Sequence, residues 1–389
     1  MKIFVSGIGV ISAIGLNSKK NYEALRSGDS GIKYSSKHHL MLGEVPLSNE
    51  ELEEMNGVKG RDFSRTTLLA LNAVKEAWGA NKISSEIRTG FISSTSVGGL
   101  DKMEEYYFQY LKESNSDYHS KMIFDNGTTS EEIANELGIS GFVSTLSTAC
   151  SSGPNAILYG ARLLELNRLD RVVVGGCDPL ALFDLKGFSS LNIYDKNICK
   201  PFDQSRKGLN IGEAAGYLVL ENEKSLVETG NKVLCVLSGW NNSTDAYHQT
   251  ASSPNGKGAT LAMNRALEKA MLDISDIDYI NAHGTGTENN DLSEAMAFKN
   301  VFGNDVPSFS STKGYTGHTL AAAGAIEAVY CVLSLLHQAK FSNLNFTEKM
   351  KDIDFCPQLI HEEGVSVNHV LSNSFGFGGN CSSLIFSKN

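Results

Sequence analysis

Short apolar runs alternate with helix-length amphipathic patterns along the whole chain, and no other feature constrains its fold as tightly. Apolar or β-branched runs at residues 2–5, 171–174, 217–220, 233–237, 279–282 and 384–386 read as buried strands. Residues 66–78, 130–137, 154–167, 257–270, 291–298 and 321–338 carry the period of helices. Alternating strands and helices predict an α/β protein with mostly parallel sheets. A chain of 389 residues can bury a core large enough for more than one domain. No low-complexity linker divides it, so its parts are expected to share one core. No internal repeat is visible in the sequence period. Residues 100–130 are polar and aromatic with weak periodicity, which predicts an excursion over the surface or a dimer contact.

Charge and cysteine usage exclude several classes. A formal net charge of -10 argues against a general nucleic-acid binder. The cysteines at 150, 177, 199, 235, 331, 356 and 381 show no Cys-x-x-Cys pair and no zinc-like spacing with histidine. Scattered, odd in number and without a secretion signal, they point to reduced thiols in a cytoplasmic protein. Residues 3–16 are apolar, but glycines interrupt them and no charged region precedes them, so a buried strand is expected rather than a signal peptide. No run of about 18 apolar residues is evident, and no membrane span is expected.

The run Ser147-Thr148-Ala149-Cys150-Ser151-Ser152-Gly153 sets one cysteine among small residues, just before the helical pattern at 154–167. Unpaired N–H groups and the positive end of a helix favour a thiolate at such a position. Small neighbours leave room for a substrate, so Cys150 reads as a nucleophile rather than an inert core cysteine. Two histidines sit in similarly glycine-rich contexts, in Asn281-Ala282-His283-Gly284-Thr285-Gly286-Thr287 and in Lys313-Gly314-Tyr315-Thr316-Gly317-His318. Glycine permits tight turns and close ligand approach there. The other seven histidines read as surface or packing residues, His248 least readily so.

Together these segments resemble the β-ketoacyl-(acyl carrier protein) synthases with a Cys-His-His site, the elongating condensing enzymes of the thiolase superfamily. The resemblance extends through Val5-Ser6-Gly7-Ile8-Gly9-Val10-Ile11-Ser12, through Lys200-Pro201-Phe202-Asp203 with Arg206, Gly208 and Gly212-Glu213, and through Ser372-Asn373-Ser374-Phe375-Gly376-Phe377-Gly378-Gly379. It implies the thiolase fold, two duplicated βαβαβαββ halves in α/β/α/β/α layers, here divided as residues 1–238 with Cys150 and 239–389 with the histidines. It implies acyl transfer to Cys150, then decarboxylative Claisen condensation with malonyl carried on the carrier protein, lengthening the chain by two carbons in fatty-acid biosynthesis. Backbone N–H groups of Cys150 and Phe377 would form an oxyanion hole, and neutral His283 and His318 would stabilise the enolate. Lys313 would be charged, pair with Glu294 and order the histidines. Thr285 and Thr287 would bind the phosphopantetheine arm, and Phe377 would gate the acyl tunnel, with loop 245–256 facing it. No redox cofactor or catalytic metal is required. A structural monovalent cation is expected at Asn281, Glu327, Ser372 and Asn373.

The resemblance also names partners: acyl-carrier and malonyl-carrier substrates, and a second copy of the chain in a homodimer. Carrier proteins are acidic, so a basic cluster must overcome the overall charge; Lys59, Arg61 and Arg65 form one candidate, and Lys200, Arg206 and Lys207 another. The glycine loop departs from the family pattern, continuing Asn380-Cys381 where threonine then asparagine is usual. A thiolase would need a second catalytic cysteine in a Cys-x-Gly context, which Cys381 lacks. A ketosynthase of a polyene or polyketide secondary pathway is an alternative. So is a non-elongating partner subunit such as a chain-length factor, which would lack Cys150.

Overall fold

The computed structural model describes residues 1–113 and 125–389. The part of the 100–130 excursion at residues 114–124 lies outside the described residues. In the first half, strands β1 (Phe4–Ser12), β2 (Thr89–Ser94), β3 (Phe142–Leu146), β4 (Arg171–Asp178) and β5 (Ala214–Glu221) alternate with helices α1 (Arg65–Trp78), α2 (Leu100–Glu113), α3 (Asn126–Glu136), α4 (Ser152–Glu165) and α5 (Leu182–Ser190). In the second, β6 (Cys235–Thr244), β7 (Tyr279–Asn281), β8 (Ser308–Ser310), β9 (His369–Gly376) and β10 (Asn380–Ser387) run with α6 (Lys257–Ala270), α7 (Glu288–Phe302) and α8 (Ala323–His337).

The duplication absent from the sequence period is present in the topology. The first half orders its strands β3-β2-β4-β5-β1 and the second β8-β7-β9-β10-β6. Numbered within each half, both orders are 3-2-4-5-1. In both, the fifth strand alone runs opposite to the other four. The two sheets join through a short ladder between β1 and β6, Phe4 to Val236 and Val5 to Cys235. Residue 238 falls inside β6, so the strand order itself divides the chain between Glu221 and Cys235.

Equivalent packing repeats as well. A Cβ on Gly9 of β1 would lie 2.0 Å from the Ala73 carbonyl of α1, and one on Gly239 of β6 would lie 2.3 Å from the Ala266 carbonyl of α6. Each outer helix thus rests directly on the first strand of its sheet, which only glycine allows. Helices α4 and α8 fill the central layer, where Ile157, Ala161, Leu164, Val329, Tyr330 and Val332 are fully buried. Each such large aliphatic side chain contributes about 1.5–3 kcal/mol relative to exposure. The segment Leu320–His337 is long and apolar enough to cross a membrane, which corrects the expectation that no such run exists. It is 89% buried between the sheets and carries the charged-pair residue Glu327.

Candidate active site

Cys150 follows β3 and precedes α4, whose N-cap is Ser151. The turn is held in a tight, partly strained form: Ala149 has φ 53°, the left-handed region that a residue with a Cβ seldom occupies. The Thr148 amide donates to Ser152 Oγ at 2.7 Å, and Ser152 Oγ donates to the Ala149 carbonyl at 2.5 Å. These bonds compensate for the strain and fix the sulfur. The sequence expectation of a favoured thiolate is corrected here. Burial pushes the Cys150 thiol up to about 11, although the Phe377 amide, the Lys313 charge and the residue's own amide pull the other way. Both amides expected to form the oxyanion hole act on this sulfur.

The histidines come from the second half. His283 follows β7, and Lys313 and His318 lie in the β8–α8 connection. Lys313 Nζ donates to Glu327 Oε1 at 2.5 Å, to the His283 carbonyl at 2.5 Å and lies 3.3 Å from His283 Nδ1. An ammonium has three donors and no acceptor, so His283 Nδ1 must accept and the ring proton must sit on Nε2. His318 reaches the same tautomer differently, because the Leu320 amide donates to its Nδ1 at 3.1 Å. The ring centroids lie 5.4 Å apart at 89°. Burial, then the Lys313 charge, holds His283 far below its usual range and His318 down to about 3. Two neutral imidazoles, each with a proton on Nε2, stand beside a buried cation.

The carboxylate partner of Lys313 is Glu327, not Glu294 as expected. Glu294, on α7, turns back to its own loop and accepts from the His283 amide at 2.9 Å and the Gly284 amide at 2.8 Å. It orders the His283 backbone, and burial raises its carboxyl to about 8. Glu327 lies on α8 one turn past its start, where it meets the Lys313 side chain.

Cys150, His283, His318, Thr285, Thr287 and Phe377 line one cavity of about 180 Å³. Thr285 and Thr287 share a hydrogen bond of 2.8 Å at its mouth. The Phe377 ring stacks on Phe188 of α5 with centroids 5.8 Å apart. Sequence reading missed Phe188, which sits in a helix of weak amphipathicity. Phe375 packs in the core beside His283. Loop 245–256 does face the glycine turn: the Asp245 amide donates to the Gly379 carbonyl and the Gly378 amide to the Gln249 carbonyl, each at 2.7 Å. His248, on this loop, is exposed and lies outside the cavity lining. Residues 372–376 belong to β9, so the turn proper is Phe377–Gly379.

Two expected docking residues are committed to the fold. The Arg65 guanidinium grips Glu213 through Nε at 2.7 Å and Nη2 at 2.6 Å, and also Asn49 and the Leu47 carbonyl. Arg206 is buried and donates to the carbonyls of Thr287, Asp203 and Glu288, fixing the start of α7 beside the threonines. Lys59 and Arg61 are exposed, and Arg61 pairs with Glu136. At the expected cation site, Asn281 and Ser372 face each other in register, and Asn281 Oδ1 and Glu327 Oε2 are buried without a partner. The Asn373 side chain is already spent, accepting from Ser383 and donating to Glu294.

The chain matches the family models for the beta-ketoacyl synthase N-terminal domain over residues 1–225 and C-terminal domain over residues 234–347. It is 29% identical to a 3-oxoacyl-[acyl-carrier-protein] synthase 2 of Staphylococcus aureus, over 100% of this chain and 98% of that one. The solved ishigamide ketosynthase/chain length factor superposes with a TM-score of 0.90 at 28% identity, covering 100% of this chain and 99% of that chain. A ketosynthase solved with its chain length factor from Xenorhabdus doucetiae gives 0.85 at 33% identity, covering 100% and 98%. With the Cys150 turn, the two histidines and the doubled strand order already in one framework, these matches make the chain a member of the β-ketoacyl synthase family, condensing enzymes of the thiolase superfamily.

Proposed function

We propose that the chain is a β-ketoacyl-(acyl carrier protein) synthase that extends an acyl group by two carbons with malonyl-carrier, in fatty-acid biosynthesis. One observation carries this reading: a buried cysteine and two neutral Nε2–H imidazoles share a cavity. In the first half-reaction Cys150 Sγ attacks the acyl thioester, the carrier sulfur leaves, and the thiol proton passes to it. The Cys150 and Phe377 amides receive the transient oxyanion, and a donor so placed is worth about 3 kcal/mol. In the second, malonyl-carrier loses carbon dioxide, and His283 and His318 hydrogen-bond the enolate oxygen. The carbanion attacks the acyl carbonyl, Cys150 is expelled, and one proton from solvent restores its thiol. Proximity and charge stabilisation supply the catalysis, and the chain needs no redox cofactor for it.

Thr285 and Thr287 suit the uncharged pantetheine part of a phosphopantetheine arm, and Lys59 with Arg61 remains the basic surface for an acidic carrier. A hard monovalent cation, held by the orphan oxygens of Asn281 and Glu327, would add structural charge compensation behind the histidines. A second copy of the chain would pair along β3, the edge of the sheet where Phe142 is exposed. Seven free cysteines suit a cytoplasmic setting. A second reading, a ketosynthase of a polyene or polyketide pathway working with a chain-length partner, is favoured by the two ketosynthase neighbours at 28% and 33% identity.

Intact-protein mass spectrometry tests the proposal. Wild type mixed with a panel of acyl-carrier thioesters should gain an acyl mass that Cys150→Ala never shows, and malonyl-carrier should chase it into products two carbons longer. Acylation that survives in Cys150→Ala would remove the nucleophile, and no adduct from any donor would favour the partner-dependent reading.

A further inference from the structure

The glycine turn bears the Phe377 amide, so whatever holds the turn also sets where that amide points. Its two ends are anchored differently from its middle. At the first end, a Cβ on Gly376 would lie 2.8 Å from the Thr148 carbonyl and 3.0 Å from Ser151 Oγ, so the backbone lies directly on the nucleophile turn. At the other end, Asn380 Oδ1 accepts from Asn155 Nδ2 at 2.8 Å and lies 2.9 Å from Ser151 Oγ, whose one proton it shares with the Thr148 carbonyl at 2.8 Å. Ser151 is the residue after the nucleophile, and Asn155 lies in the first turn of α4. Asn155 Nδ2 also donates to Thr148 Oγ1 at 2.9 Å, and its Oδ1 accepts from Ser382 Oγ at 2.7 Å. Between these anchors, Gly378 and Gly379 have φ 84° and 82°, and the turn touches loop 245–256 through two backbone bonds. The first half makes the reciprocal contact: Asp178, ending β4, accepts from the Ala321 amide at 2.7 Å, just before α8.

We infer that Asn380 is a positioning residue for acyl transfer, locking the Phe377 amide to the Cys150 turn. The inference rests on the condensing reading above. Asn380 touches neither the sulfur nor the acyl group. It acts because an oxyanion donor displaced by a fraction of an ångström loses its worth. Its single oxygen spans the two halves and gathers donors from the nucleophile helix, which makes the hole a property of their contact.

Two reactions at Cys150 separate this role from a structural one. Thioester acylation passes through an oxyanion; alkylation by iodoacetamide forms an S–C bond as iodide leaves and develops none. Both are followed on the Cys150 peptide by mass spectrometry, since Cys356 is exposed. Asn380→Leu should slow acylation by about tenfold or more while alkylation stays within about twofold. Asn380→Asp, which keeps the acceptor oxygen, should restore acylation to within about threefold of wild type. If Asn380→Leu does not fold, Asn380→Ala is read the same way. Equal losses in both reactions, no loss in either, or an Asp variant no better than Leu overturns the inference alone. A wild type that takes no acyl group from any carrier thioester overturns the condensing reading and this inference with it.

Discussion

In the first half, β3 leads through Cys150 into α4; in the second, β8 leads through Lys313 and His318 into α8. These are the same connection in two copies of one unit, and they handle charge in opposite ways. The hydrogen bonds of the Cys150 turn come from amides, hydroxyls and the side chains of Asn155 and Asn380. The Lys313 turn is ionic, with an ammonium against Glu327. The difference follows from the two jobs. A thiol needs to be anionic only in passing, and neutral dipoles serve a transient charge. The imidazoles must stay neutral with the proton on Nε2 throughout: burial and then the Lys313 charge keep them neutral, Lys313 sets the His283 tautomer and the Leu320 amide sets that of His318.

The sharpest way to break this comparison is to remove the cation. Lys313→Ala leaves Glu327 buried without a partner and should cost about 3–5 kcal/mol in urea unfolding, with malonyl decarboxylation lost. A cost under about 1 kcal/mol would mean that the pair is not ionic and that the two turns are alike. Next in size, His283→Ala or His318→Ala should lower malonyl-carrier decarboxylation by about 100- to 1000-fold and leave self-acylation within a few-fold. The reverse order would move the histidines to the acyl-transfer step and erase the division between the halves. With its pKa depressed to about 3, His318 is neutral at every pH above that, so wild-type decarboxylation should show no histidine inflection near pH 6.5.

The smallest effect tests the other half. A thiol raised to about 11 is protonated below that pH, and its thiolate fraction grows tenfold per pH unit. Iodoacetamide alkylation of Cys150 should therefore climb with unit slope through about pH 10. A plateau near pH 8 would show the helix start outweighing burial, as the sequence alone suggested.

Much of this was legible before any coordinates. The runs read as strands fall within or overlap β1, β4, β5, β6, β7 and β10, and the helical periods fall on α1, α3, α4, α6, α7 and α8. The strands β2, β3, β8 and β9 escaped, and for β9 the reason is that hydrophobicity is a poor signal where a strand packs against helix backbone. Ser372, Asn373 and Ser374 of β9 are buried, and a Cβ on Gly324 of α8 would lie 2.3 Å from Ser374 Oγ. A bulky apolar residue would not fit there, so the strand reads as polar. Arg65 and Arg206 show the same limit in reverse, since a cation in the sequence looks free until the carboxylate or carbonyls that hold it are seen.

The sequence by itself determined the α/β class and singled out Cys150, His283 and His318, each in a local frame of small residues whose chemistry can be read along the chain, while Lys313 and Phe377 followed from the family resemblance. Only the tertiary structure decided which glutamate meets Lys313, which tautomers the histidines hold, how deeply the thiol is buried, and that Asn380 ties one half to the other. Those depend on distances between segments far apart in sequence and on how much water their packing excludes, and neither is encoded in any one stretch of residues.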